Sequence, residues 1–471
     1  MLGNAINIFR VPDLKRKVLF TLGILAVYRI GSFVPVPFVN PRALQEMWRG
    51  LTGGAGGGGL FDVVNMFSGG AFQNMTIFAL GIMPNISASI IIQLLMVVVP
   101  RLEKIAKEGQ AGQKKINQYT RYGTVGLSLF QSIGLALWMM RMDASLIPQH
   151  RLLFMAVVMI SMTTGTAFIM WLGEKVSEHG IGNGISLIIA WGIIADYSPS
   201  TVAGWRMVQN EALEPIWFPI LGVLYIAVSA LIIYVQQANR KLPVQYARRV
   251  VGRRQFQGSS TFLPLKLNTA GVIPVIFASS ILMFPSIIIS FFSSRVDSSL
   301  SVFGTIFDMN SRVNLYEMLG IRSGGVFNLL KVFNLHTVTY CLLTVFFCYF
   351  YTAITFNPLD TAENLKKMGG FLPGRRPGKN TADYIDYVLT RITLVGALFL
   401  VVVAVLPQVI TVAFGVPFSM TYRIGGTGLI IVVGVLLDTM KQIESQLLMR
   451  HYEGFDYRGR AKRRWEFRPS A

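Results

Sequence analysis

Charge is what this sequence has least of. Asp, Glu, Lys and Arg make up 14% of its 471 residues, against roughly 25% in soluble domains. The length would fit two to four soluble domains, but so few charges cannot solvate their surfaces. Cysteine is almost absent. Cys341 and Cys348 fall in one apolar run, which excludes a disulfide framework and predicts a reduced, buried pair. His150, His179, His336 and His451 are isolated, with no H-E-x-x-H pattern or Cys/His cluster, so no metal site is expected. No Walker loop is present, and the central apolar runs hold almost no acidic residues of the kind ion-coupled pumps use. An ATPase or an ion-coupled carrier loses support, and neither a catalytic residue nor a cofactor is expected.

What is present is apolar surface and positive charge. Apolar residues make up 52% and the net charge is +20, from 43 Lys and Arg against 23 Asp and Glu. A membrane protein with basic loops combines both features. Uncharged runs cover 63–100, 122–140, 152–173, 179–195, 215–239, 267–294, 332–359 and 392–422. Each is long enough to supply a span of about 20 residues or most of one. Two further spans tolerate charge, from Val18 to Pro37 around Arg29 and from Ile424 to Gln446 around Asp438, with Lys441 and Glu444 near its end. Arg29 lies near one end of its span and is expected to snorkel to the interface.

Ten spans put both termini on one side, and the charges decide which. That side carries 32 Lys and Arg against 14 acids, a net +18, while the other carries 11 against 9, a net +2. By the positive-inside rule both termini are cytoplasmic. Lys15, Arg16 and Lys17 before an apolar run imitate a signal peptide, but no small-residue cleavage site follows, so the first span reads as retained. Residues 1–17 form a short cytoplasmic segment in which Leu2, Ile6 and Phe9 suggest an amphipathic helix. Five spans lie in 18–198 and five in 199–446, and an odd number per half inverts one half relative to the other. A basic cytoplasmic tail, 447–471, follows.

The pattern breaks after Asp62. The uncharged run there has 38 residues, too many for one helix and too few for two spans and a turn. Residues 60–74, interrupted by Ser68, Gly69 and Gly70, read as a half-helix entering from outside, with a full span from Thr76 to Val99. A surface loop remains the alternative. Irregular backbone at membrane depth requires protein or a water-filled cavity around it, so a half-helix implies a channel. Gly53 to Gly59 reads as a flexible external linker. Two long cytoplasmic loops, 237–267 and 357–391, are rich in arginine and suit an anionic partner, ribosomal RNA or an acidic protein surface. They would equally serve to fix topology against lipid phosphates.

Several strings carry a resemblance. Phe78-Ala-Leu-Gly-Ile-Met-Pro-Asn-Ile-Ser, His179-Gly-Ile-Gly-Asn-Gly-Ile-Ser, Leu263-Pro-Leu-Lys-Leu-Asn-Thr-Ala-Gly, Thr361-Ala-Glu-Asn-Leu-Lys-Lys, Pro373-Gly-Arg-Arg-Pro-Gly and Gly425-Gly-Thr-Gly closely resemble the SecY/Sec61 family of protein-translocase channels, over roughly residues 8 to 460. The resemblance implies an all-α integral membrane protein of ten transmembrane helices, in two inverted five-helix halves around a central pore with a plug half-helix. It implies a passive channel that passes unfolded secretory polypeptides and releases transmembrane segments sideways into lipid.

By motif, the constriction falls on Ile82, Ile86, Ile185, Ile189, Ile276 and Ile431, the plug on Leu60, Phe61, Val64, Phe67, Gly69 and Gly70, with Gly69-Gly70 as a hinge. The lateral gate falls on Ser87, Gln93, Asn268 and Phe284, with Gln93 and Asn268 as a polar pair across the seam. Partner docking falls on Arg253, Arg254, Arg375 and Arg376. Isoleucines four apart on a membrane helix are by themselves ordinary packing, and each gate amide alone could be a satisfied structural group. The implied partners are the small subunits SecE and SecG, the motor SecA, the ribosome with its rRNA, secretory polypeptides, membrane lipids and accessory translocation proteins, in a bacterial inner membrane. Asn85 departs from the aromatic that relatives often carry. A secondary carrier of small solutes, and a ribosome-docking scaffold without a pore, are the rival readings.

Overall fold

The computed structural model describes residues 11–39, 64–142, 151–210, 214–246, 249–251, 254–256, 260–292, 334–414, 421 and 426–466. The amphipathic N-terminal pattern, the glycine linker, Leu60, Phe61 and Arg253 lie outside them.

Among the described residues the apolar runs become ten long helices. In chain order these are α1 (Pro12–Gly31), α2 (Met83–Val98), the short α3 (Pro100–Lys107), α4 (Gln110–Met142), α5 (Arg151–His179), α6 (Gly184–Gln209) and α7 (Trp217–Gln237). After a β-hairpin come α8 (Ile273–Phe292), α9 (Leu335–Thr355), the short α10 (Pro358–Lys367), α11 (Lys379–Phe414) and α12 (Gly426–Glu466). Among the described residues six of them, α4, α5, α7, α9, α11 and α12, are long and apolar enough to cross a membrane. The pair α2–α3, bent by 101° where Pro100 opens α3, makes a seventh. Charges in α1 and shorter apolar stretches in α6 and α8 set the other three apart. Three helices run well past their uncharged runs. α4 begins at Gln110, α11 at Lys379, and α12 continues to Glu466, because a helix can leave the bilayer and continue in water on its own hydrogen bonds.

Packing repeats between the two sets of five. In the first, α2 packs on α4, α4 on α5, α5 on α6, and α1 on α5 with a lighter contact to α6. In the second, α8 packs on α9, α9 on α11, α11 on α12, and α7 on α12. The series from α2 to α6 repeats in that from α8 to α12, as expected of a repeat inferred from span parity, while the first members differ, α1 leaning on α5 and α7 on α12. Two contacts join the sets through equivalent members, α2 with α8 and α6 with α12.

The turn between α5 and α6 shows how the glycine motif works. Asn183 caps α6, its Oδ1 accepting from the backbone N–H of Ile185 and Ser186 at 3.1 and 3.4 Å. Gly182, at φ +83°, donates its N–H to Gln442 of α12, 2.9 Å away. Gly184 packs on the Gly173 carbonyl, where a Cβ would collide. These contacts fix where the first turn of α6, and so Ile185, points.

The two basic loops fold together. β1 (Asn239–Tyr246) and β4 (Ser260–Lys266) pair antiparallel from Asn239↔Lys266 to Gln245↔Ser260, and β5 (Gly370–Phe371) joins the other edge of β1. A second hairpin, β2 (Arg249–Val251) with β3 (Arg254–Phe256), sits at the tip. Leu242, Val244, Leu265 and Leu372 make a small core with Ile385 and Leu389 of α11, separate from the membrane core. Loops more than a hundred residues apart in sequence form one platform.

Candidate functional site

One apolar cluster occupies the centre of the helical bundle. It contains Ile82, Ile86, Ile189, Ile276 and Ile431, each at most 5% exposed, with Ile185 half-buried against it. Ile82 stands just before α2, Ile86 on its first turn, Ile185 and Ile189 on the first two turns of α6, Ile276 on α8 and Ile431 on α12. Residues four apart lie on one helix face, so each helical pair offers two branched side chains to the same side. The helices concerned are those that pair as equivalents across the halves, α2 with α8 and α6 with α12.

The plug candidates enter the same cluster. Val64, Met66 and Phe67 are buried in it, with Ala71, Phe72 and Met75. Residues 64–67 are helical and irregular turns follow to Ile82, so the helical part of the plug segment ends before Phe72 and the second span begins at Met83 rather than Thr76; residues 60–63 lie outside the described residues. The turn ends in a Schellman motif. Gly70 donates its N–H to the Asn65 carbonyl at 2.9 Å and Gly69 to the Met66 carbonyl at 3.1 Å, with φ of +86° and +64°. Glycine is required here for conformation, and Gly69 also for room. A Cβ on it would stand 2.9 Å from the Gly192 Cα of α6. Gly69, expected as a hinge, is a packing contact with α6.

The irregular segment after the turn satisfies its own backbone groups. Asn65 Oδ1 accepts from the Gln73 N–H at 2.9 Å, and the Ser68 hydroxyl oxygen from the Phe72 N–H at 3.0 Å. An extended stretch following α1 supplies the rest. Val36 donates its N–H to the Met75 carbonyl and Ile77 to the Val34 carbonyl, each at 3.0 Å. Non-helical backbone among apolar helices is tolerable on these terms.

The Arg29 guanidinium, expected to reach toward the interface, is half-buried and has a partner within the protein: Nη1 donates to the Gly69 carbonyl at 2.8 Å, and Cζ lies 4.7 Å from the Phe33 ring centre.

A polar cavity of about 330 Å³ adjoins the cluster. Asn85, Ser89 and Gln93 of α2 face Asn117 and Arg121 of α4 and Glu174 of α5 across it, with Ile185 at its edge. Arg121 Nε and Nη2 grip both Glu174 carboxylate oxygens at 2.7 Å, so the wall between α4 and α5 is closed by a bidentate pair. Asn85, at 3% exposure, takes this polar boundary.

The expected Gln93–Asn268 pair does not form. Asn268 Nδ2 donates to the Gly271 carbonyl at 2.8 Å and holds the turn that opens α8, while Gln93 lines the cavity toward α4 and α5. A carbonyl three residues away competes better for an amide than a side chain on another helix. Ser87 is half-buried on α2, and Phe284 lies on α8. On the platform Arg254 opens β3, Arg375 and Arg376 are exposed, and the Arg375 guanidinium sits 5.0 Å over the Tyr384 ring.

Comparison with known proteins decides what such an arrangement belongs to. The SecY family model matches residues 76–440. The chain belongs to the SecY family. It is 45% identical to the protein translocase subunit SecY of Streptomyces galbus over 458 residues, 95% of this chain and 98% of that protein. It is 44% identical to SecY of Escherichia coli K12 over 443 residues, 94% and 93% of the two chains. Among solved structures, a protein-conducting channel shares the fold at a TM-score of 0.58 and 18% identity, covering 91% of each chain. A SecY whose plug domain is described as stabilising the closed state of the translocation channel matches at 0.59 and 16%, also over 91% of each. Membership of the SecY family makes this an all-α, multi-pass membrane protein and a protein-conducting channel subunit of a translocase. The small-solute carrier is not favoured.

Proposed function

We propose that the isoleucine set is the constriction of this channel and that residues 60–74 are its plug. The observation that carries this reading is the shared cluster. Five isoleucines from before α2 and from α2, α6, α8 and α12 are buried in one apolar body with Val64, Met66 and Phe67, beside a polar cavity. A ring of branched apolar side chains sheds water readily and closes around a passing chain without binding it. The plug residues add a second apolar seal below the ring. A carrier would place substrate-binding charges at this depth; here the depth is occupied by isoleucine.

The channel passes unfolded secretory polypeptides across a bacterial inner membrane and lets transmembrane segments leave between α2 and α8. SecE and SecG complete the complex, and accessory translocation proteins and lipids surround it. Both termini and the platform face the cytoplasm, in keeping with the net +18 on that side. SecA or the ribosome docks on the platform and supplies the energy, since the channel itself hydrolyses nothing. The joined sheet supports this reading, because it holds both basic loops as one rigid surface.

The gate is tested with photo-crosslinking residues at Ser87 and Phe284 during entry of a signal-bearing chain. The signal helix is expected to label both positions early in translocation. Passage of the chain with neither position labelled would remove the α2–α8 seam as the gate.

A further inference from the structure

Two consecutive residues of α1 hold the plug turn, and nothing in the ring or the plug sequence calls for them. The Tyr28 hydroxyl donates to the Ser68 carbonyl at 3.1 Å, and Arg29 Nη1 to the Gly69 carbonyl at 2.8 Å. The Schellman motif's two hydrogen bonds end on the Asn65 and Met66 carbonyls, so the Gly69 carbonyl is left to Arg29, while the Ser68 carbonyl accepts Tyr28 beside a long bond from the Ala71 N–H at 3.4 Å. Tyr28 is 2% exposed and stacks on Phe78 at 5.9 Å, with the planes 7° apart. Arg29 is aimed by the Phe33 ring. Other side-chain hydrogen bonds of the turn are internal to it, Asn65 to Gln73 and Ser68 to Phe72 among them.

We propose that Tyr28 and Arg29 form a latch that keeps the plug seated, so that α1 sets how often an idle channel opens. The inference rests on the plug reading above. The latch has the chemistry that a reversible hold requires. It grips main-chain carbonyls, so it needs no particular plug side chain and leaves the plug face free to pack on the ring. It consists of two hydrogen bonds, which a passing chain can replace one at a time. The backbone contact of Gly69 with Gly192 gives the seated turn its depth, and Tyr28 Oη lies at that crossing, 3.4 Å from where a Cβ on either glycine would stand. Tyr28 and Arg29 are positioning residues; neither lies in the ring.

The test uses the full chain in its complex, in voltage-clamped planar bilayers without substrate. Tyr28→Phe keeps the stacked ring and removes only the donor; Arg29→Gln removes the charge and shortens the reach. The double variant is expected to raise idle conductance about tenfold, each single variant a few-fold, and Arg29→Lys to recover part of the Arg29→Gln loss. A second arm tethers the plug. A Cβ on Gly428 of α12 would stand 3.1 Å from Met66 Sδ, so Met66→Cys with Gly428→Cys, joined as a disulfide by an added thiol oxidant that takes up the two thiol hydrogens, fixes the turn to α12. Bridging is expected to stop translocation in the parent and to silence the double variant's leak. A general loss of packing would leave that leak in place. An idle conductance in the double variant equal to the parent's, with the bridge still blocking translocation, overturns the latch alone. Normal translocation through the bridged parent overturns the plug reading and the latch with it.

Discussion

Replacing Ile431 with Asn is expected to let substrates with defective signal sequences through about ten times faster than the parent, with a rise in idle ion leak. Ile431 is fully buried on α12 within the cluster that holds the other ring positions. An amide there has no ready partner, and leaving a polar group unpaired in an apolar surrounding costs about 1–3 kcal/mol. That cost falls on the closed state, where the ring is dry, and is relieved when water or a polypeptide enters. One tenfold step corresponds to about 1.4 kcal/mol, so even the low end of the range weakens the seal several-fold. Ile431→Leu keeps volume and polarity and is expected to stay near the parent. Export of a signal-defective reporter, measured against abundance of the channel, reads the effect.

Arg376→Glu is expected to reduce partner-driven translocation at least thirtyfold while leaving the folded channel intact. Arg376 lies exposed in the bend between β5 and α11, and its carbonyl accepts the Thr381 hydroxyl at 2.9 Å, which fixes the backbone but not the guanidinium. Among the described residues that guanidinium meets no protein partner. Reversing a charge that pairs across an interface costs about 2–5 kcal/mol, most of it in dissociation rate. Arg375 sits over Tyr384, so Arg375→Gln loses packing as well as charge and is expected to weaken docking less sharply. Affinity of SecA or ribosomes for the reconstituted complex, measured at two salt concentrations, checks both. Equal binding by Arg376→Glu and parent would leave the platform's charge to topology alone.

The long helices were legible because most membrane spans announce themselves as unbroken apolar runs; the run 63–100 is the exception, dividing into the plug turn, irregular backbone and α2. Other features were not, each for a physical reason. The hairpin of β1 and β4 follows a period of two, Leu242 with Val244 and Leu263 with Leu265, but it lies among enough arginines that charge dominates the reading. The partnership of Arg29 with Gly69 spans 40 residues and ends on a carbonyl, which no sequence pattern marks. Gln93 and Asn268 were matched as polar residues on facing helices, whereas the local turn at Gly271 takes the Asn268 amide. The glycine pair was legible as a break, though not as the close approach to Gly192 that places it. Local chemistry showed in the sequence; contacts between distant main-chain atoms required the fold.

The most direct test of the central claim places photo-crosslinkers at Ile86, Ile276 and Ile431 and at Ile226, 68% exposed on α7, while a secretory chain is stalled in transit. Labelling of the stalled chain from Ile86, Ile276 and Ile431, with none from Ile226, is the result expected of a constriction formed by that set. A chain fully engaged in transit that is labelled from none of the three would contradict it.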